Sequence, residues 1–204
     1  MKLITVETVF DSRHAGSSDF VAQAMDADVT QVLALLDRVF TNWPDVSRTL
    51  AAEEVKEGLR VIYSANGLMA RVFDADNQAT LDERLAMVRR AHSFVSNYLA
   101  EHAEFAEVCF MWWDAAATAY SLPEIDRFSQ AIETDRHEIR EALLHCFTET
   151  LESEEESARM AALHWLDCLN HPDNKRIVER FIAQARNITP AVSQFADQFI
   201  GPTD

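Results

Sequence analysis

Three side chains in the last quarter of the chain, His164, Cys168 and His171, fall at i, i+4 and i+7. On a helix that spacing lays them along one stripe, and imidazole and thiolate are ligand types that zinc accepts. The outer two stand about 10 Å apart along the helix axis. One ion could therefore join His164 to Cys168, or Cys168 to His171, and could engage all three only where the helix ends at the turn. The competing reading places His164 in a helix-packing seam and has His171 cap the helix that follows Pro172. A second stripe, His137, Glu141 and His145, has Glu133 further back on the same side. Carboxylate and imidazole at four-residue spacing can bind a metal or exchange a proton. Solvated i, i+4 pairs on a helix surface are the plainer expectation there. The Glu-x-x-His segments with which helical bundles hold two irons are absent.

Other chemistries find no foothold. The chain has no Gly-x-Ser-x-Gly elbow, no cysteine beside a glycine-rich turn and no phosphate-cradling glycine loop. This argues against oxidoreductases and nucleotide-dependent enzymes, and no cofactor is expected. Nucleic-acid binding needs clustered Lys and Arg, and the compact basic groups are Arg89 with Arg90, and Lys175 with Arg176 and Arg180, both expected to be salt-bridged helix surface. Asp114 is the one charge near the middle of an apolar run from Phe105 to Tyr120, and its expected role is a partly exposed residue or the partner of an arginine or an indole N–H. His92 lies on an apolar helix face, where a hydrogen-bonded core histidine is expected.

The charge distribution speaks about partners. Of a formal net charge of −16, most comes from Glu101–Glu156, which holds fifteen acidic side chains against three basic ones. A field of that sign repels nucleic acid and anionic lipid and attracts cationic proteins. Glu133, Glu141, Glu149, Glu152, Glu154, Glu155 and Glu156 are the candidates to line a surface that docks a basic protein, as an adaptor, inhibitor or immunity-type protein would. The alternative account is a charge-rich face that serves solubility alone.

The elements that must position these groups are helices. Apolar residues recur at three and four through Leu81, Leu85, Val88, Val95 and Leu99, and through Ile139, Leu143, Cys146 and Phe147. Thr80 with Glu83, Ser121 with Glu124, Asp135 with Glu138 and Ser153 with Glu156 have the spacing of helix-starting caps. Pro44 stops an early helix, Asn66 and Gly67 close the next, and Thr189 with Pro190 opens the last. Four Gly and five Pro suit helices joined by short turns. Residues 1–204 read as a single all-α domain of antiparallel helices, with 1–25 as an irregular N-terminal arm. Within that arm the β-branched segment Leu3 to Phe10 either stays irregular or pairs with another chain. The three cysteines read as reduced, buried thiols, no apolar run is long enough to span a membrane, and a cytoplasmic location is expected.

From Ser157 onward the pattern is helix, tight turn, helix: Ala161, Ala162, Leu163, Leu166 and Leu169 pack, Asn170-His171-Pro172 turns, and Ile177, Val178, Phe181 and Ile182 pack back. This half resembles a HEAT-type helical repeat. The stretch Ala162-Leu163-His164-Trp165-Leu166, downstream of Met111-Trp112-Trp113-Asp114, resembles uncharacterised bacterial proteins of HEAT-like architecture. The resemblance implies an α-α superhelix, with an irregular helical bundle as the other arrangement, and carries no activity. The expectation is thus a non-enzymatic module that binds a basic protein through its acidic surface. The alternative is a helical metal-binding protein or metal-dependent hydrolase. A third reading is a homodimer built on Leu3 to Phe10 and the aromatic residues near Trp112.

Overall fold

Thr5 opens the described chain with a reciprocal cap: its amide donates to Thr8 Oγ1 at 2.9 Å, while Thr5 Oγ1 accepts from the Thr8 amide at 3.3 Å. The short helix that follows, α1 (Val6–Val9), sends Val9 and Phe10 fully into the core. The described part of the segment, residues 4–10, therefore holds a helical turn and no strand, and Leu3 lies outside the described residues. The two threonines satisfy the first amides locally, and burial of the apolar face outweighs the β preference of Val and Thr. A computed structural model of the chain describes residues 4–11, 20, 22–23, 26–65, 67–73, 79–121 and 130–200.

Helices follow one another with short connections. They are α2 (Val29–Thr41), α3 (Trp43–Ser47), α4 (Ala52–Tyr63), α5 (Leu68–Phe73), α6 (Leu81–Phe94), α7 (Ala106–Met111), α8 (Asp114–Ala119), α9 (Gln130–Leu151), α10 (Glu156–Leu169), α11 (Asn174–Gln184) and α12 (Pro190–Ile200). No strand occurs among the described residues, so the chain is all-α. Thr80 and Glu83 cap α6 reciprocally, and Pro190 opens α12 with Thr189 Oγ1 accepting from the Val192 amide at 3.3 Å. Pro44 sits in the first turn of α3, just after α2 has ended at Thr41. Other start signals land differently. Asp135 and Glu138 lie inside α9, where Asp135 pairs with Arg84 instead of capping. Ser153 Oγ accepts from the Glu155 amide, one residue short of the expected partner, and Glu124 and Asn66 lie outside the described residues.

The apolar run from Phe105 to Tyr120 does not form one helix. It breaks at Trp112 and Trp113, whose rings are both fully buried but enter different parts of the core. Trp112 packs among Phe40, Tyr63 and Phe94, whereas Trp113 meets Phe73 and Phe147. Successive side chains on a straight helix diverge by about 100°, and the break frees each ring to find its own cluster. Helix α10 forms the centre: it contacts α7, α8, α9, α11 and α12, while α6 lies between α2 and α9. Among the described residues, no helix is long and apolar enough to cross a membrane.

Gly58 on α4 is where α1 is seated, because a Cβ there would overlap the Phe10 ring. Gly58→Ala should destabilise the fold by about 1–3 kcal/mol through overpacking, measured by urea denaturation. Combined with Phe10→Ala, the loss should be smaller than the sum of the two single losses, since the added methyl then occupies vacated space.

Candidate metal centre

The last turns of α10 and the start of α8 bring three ligand types together. His164 Nε2 stands 2.9 Å from Asp114 Oδ1 and 3.8 Å from Cys168 Sγ, and one donor atom from each residue lies within 4.8 Å of the others. His164 and Cys168 share a helix face at i, i+4 as their spacing requires. Asp114 arrives from fifty residues upstream because the break at Trp112-Trp113 restarts the chain as α8 directly against α10. Its partner is thus an imidazole, rather than an arginine or an indole.

The imidazole is held from the side. Its ring stacks on Phe110 of α7 with centroids 4.1 Å apart and planes 9° from parallel. Trp165, next along α10, donates its indole N–H to the Phe110 carbonyl at 2.8 Å, which fixes the two helices in register. Asp114 and His164 keep about a quarter of their side-chain surface exposed, at 26% and 22%, while the Asp114 Oδ1 atom itself is buried.

Asp114 Oδ1 lies within ion-pair distance of His164 Nε2 but meets no strict hydrogen-bond geometry among the described residues. Donors at zinc bond lengths in a tetrahedral shell stand about 3.3 Å apart for N with O and about 3.5 Å for N with S, close to the spacings present. Asp and Cys also approach the same ring nitrogen. A nucleophile relay needs the acid on one imidazole nitrogen and the nucleophile on the other, so this is not a Cys-His-Asp triad. Burial pushes the Asp114 carboxyl above the ordinary range, opposed by the neighbouring imidazole, and pushes the Cys168 thiol up to about 11.

The third expected ligand, His171, is engaged elsewhere. Its Nδ1 accepts from the Asp173 amide at 3.1 Å, which leaves Nε2 as the protonated nitrogen, and that N–H points to Glu141 Oε1 at 3.0 Å. The left-handed Asn170, at φ 48°, ends α10 before His171 can join its stripe. The second stripe also divides. Glu141 lies 3.8 Å from His137 and 3.0 Å from His171, while Glu149 lies 3.3 Å from both His145 and His92. His137, Glu141 and His145 thus form separate carboxylate–imidazole contacts that do not converge. His92 pairs with Glu149 on Nε2 and leaves Nδ1 buried without a partner among the described residues; burial lowers its pKa against the pull of that carboxylate.

The acidic surface is only partly intact. Glu141 and Glu149 are tied to histidines, and the Glu133 side chain lies outside the described residues. Glu152, Glu154, Glu155 and Glu156 are exposed around the α9–α10 turn and form no ion pair with a described residue. Elsewhere arginines neutralise acids across the fold: Arg84 with Asp135 at 2.9 Å, Arg90 with Asp37 at 2.8 Å and Arg60 with Glu107 at 3.4 Å. No protein-family model, curated protein or solved structure matches the chain.

Proposed function

We propose that this protein binds a divalent transition metal, zinc by the softness of the donor set, through Asp114, His164 and Cys168. The observation that carries the reading is the convergence of carboxylate, imidazole and thiol on one point, with Asp and Cys approaching the same imidazole nitrogen. One N, one O and one S donor suit zinc better than magnesium or calcium, which take oxygen ligands. Three protein ligands leave a fourth position for water or a substrate group, as in zinc sites that polarise what they bind. On the protein side, Phe110 orients the imidazole by stacking, and the partial burial of Asp114 strengthens its attraction to a cation.

A second reading, docking of a basic protein, is favoured by Glu152, Glu154, Glu155 and Glu156, which crowd a single exposed turn and form no ion pair with a described residue. Opposite potentials would speed encounter with a cationic surface and select for it. The two readings involve different ends of α10 and are compatible.

Cobalt substitution tests the metal. The purified chain should bind one cobalt ion with a thiolate-to-metal charge-transfer band, which Cys168→Ser abolishes. Asp114→Asn and His164→Ala should weaken binding by about a hundredfold or more, while His171→Ala and the pair His137→Ala, His145→Ala should change it by less than about threefold. Absence of the band, or its persistence in Cys168→Ser, would show that the cluster is only a packing contact between α8 and α10.

The Cys168 thiol supplies a pH signature. With its pKa pushed up to about 11, it is protonated through the neutral range and must release that proton to ligate. Apparent zinc affinity should therefore rise about tenfold per pH unit between roughly pH 7 and 9, above the ordinary imidazole range. A competition titration against a chromophoric chelator reads this slope, and Cys168→Ser should flatten it.

For the docking reading, charge reversal at Glu152, Glu154 and Glu155 should slow association with poly-L-lysine by about tenfold at low salt. Reversal at the exposed Glu53, Asp82 and Asp197 makes the same change in net charge at other places and should have a clearly smaller effect. Stopped-flow measurements over a salt series separate the two sets; equal effects would reduce the turn to part of a general field.

A further inference from the structure

At the other end of α10 a cavity of about 520 Å³ opens between the end of α9, α11 and the α11–α12 connection. Its apolar wall is Leu151, Ile177 and Phe181, and its polar rim carries Arg159, Arg180 and Arg186 together with Glu152 and Glu154. In a chain of net charge −16, three guanidinium groups at one cavity stand out. Arg180 and Arg186 are exposed and form no ion pair with a described residue, although their neighbours Lys175 and Arg176 pair with Glu179 and Asp173.

Arg159 is the built element. It is only 8% exposed, its Nη1 donates to the Asn187 carbonyl at 3.3 Å, and its guanidinium carbon lies 5.7 Å from the centre of the Phe181 ring. Its Nε is buried and makes no hydrogen bond with a described residue. Among the described residues the other two buried arginines also leave Nε unpaired, but Arg84 has a carboxylate and Arg140 does not line this cavity. A buried cation without an anion is costly, and the guanidinium fork fits a carboxylate edge-on.

We infer that this cavity binds a small organic monocarboxylate, its charged end against Arg159, Arg180 and Arg186 and its apolar body against Leu151, Ile177 and Phe181. The volume suits such a ligand, since small-molecule sites run from about 300 to 1,000 Å³. Three cations against two carboxylates leave one positive charge, which matches a monoanion better than a phosphate dianion. The inference draws on residues that the metal cluster does not include, so either stands if the other fails.

Titration of the full chain with hexanoate, acetate, hexyl phosphate and hexylamine, followed by amide NMR shifts, tests it. Hexanoate should perturb amides near 151–159 and 177–187 in a saturable manner and bind at least about tenfold more tightly than acetate, through the added methylenes. It should also bind more tightly than hexyl phosphate, and hexylamine should not compete. The surface pair Arg180→Gln, Arg186→Gln should weaken hexanoate by about tenfold without shifting the thermal midpoint, and Glu152→Gln with Glu154→Gln should tighten it. Equal binding of hexanoate and acetate, competition by hexylamine, or an unchanged affinity in the double arginine variant would overturn the assignment. Preference for hexyl phosphate would overturn the monocarboxylate class.

Discussion

The contact on which the arrangement depends is the hydrogen bond from the Trp165 indole to the Phe110 carbonyl. Phe110 lies in the last turn of α7, where carbonyls lack intrahelical donors. The indole meets that need and would itself be expensive to bury unpaired. The same residue takes the preceding side chain of α10 on its ring, so Phe110 grips Trp165 through its backbone and His164 through its side chain. With both fixed, α8 begins beside the last turns of α10, and Asp114 is set against the imidazole. The break that permits this has its own cost: Trp112 and Trp113 each bury an indole N–H without a partner among the described residues. Their rings are fully enclosed by aromatic neighbours on two sides of the break, and that apolar burial offsets the loss.

Periodicity and caps made the helices legible from the chain alone, because both are local. Thr80 with Glu83 and Thr189 before Pro190 start helices for reasons contained within four residues. The helical turn at Val6–Val9 was not legible, since its stability rests on Phe10 finding the bare Cα of Gly58 some fifty residues away. The site divided along the same line. His164 and Cys168 share one helix and could be paired by spacing, but Asp114 is separated from them by α9, and only the packing of α8 on α10 makes it a neighbour. The one signal it gave was a lone charge in an apolar run. His171 misled because helix spacing was carried through a turn that the left-handed Asn170 redirects.

Arginine use explains why a chain so acidic still folds around charged groups. Arg84 goes inward to Asp135, while Arg140 and Arg159 each donate to the carbonyl of an asparagine in the left-handed region, Asn170 at φ 48° and Asn187 at φ 58°. Each of those asparagines turns the chain from one helix of the C-terminal half toward the next. Interior arginines therefore pin the turns, and their charge is withdrawn from the surface. The α9–α10 turn keeps four glutamates that form no ion pair with a described residue.

Helix α10 orders the two candidate sites by its own polarity. Its amides are unsatisfied at the start and its carbonyls at the end, which is equivalent to about half a positive charge at the first turn and half a negative charge at the last. Arg159 stands near the beginning of the helix and adds to the positive end, where an anion is proposed to sit. His164 and Cys168 stand near the finish and, with Asp114, add donors to the negative end, where a cation is proposed. Each end also holds a group whose charge is incompletely met within the protein: a buried guanidinium N–H at one, a partly buried carboxylate at the other. Since Asp114 has its pKa raised by burial, folding stability falls as pH climbs from the ordinary carboxylate value through the raised one, and at neutral pH that penalty is present. A cation bound only by the folded arrangement removes the penalty and stabilises the fold by mass action. The electrostatics thus point in opposite directions at the two ends of a single helix, each toward a ligand of the complementary sign.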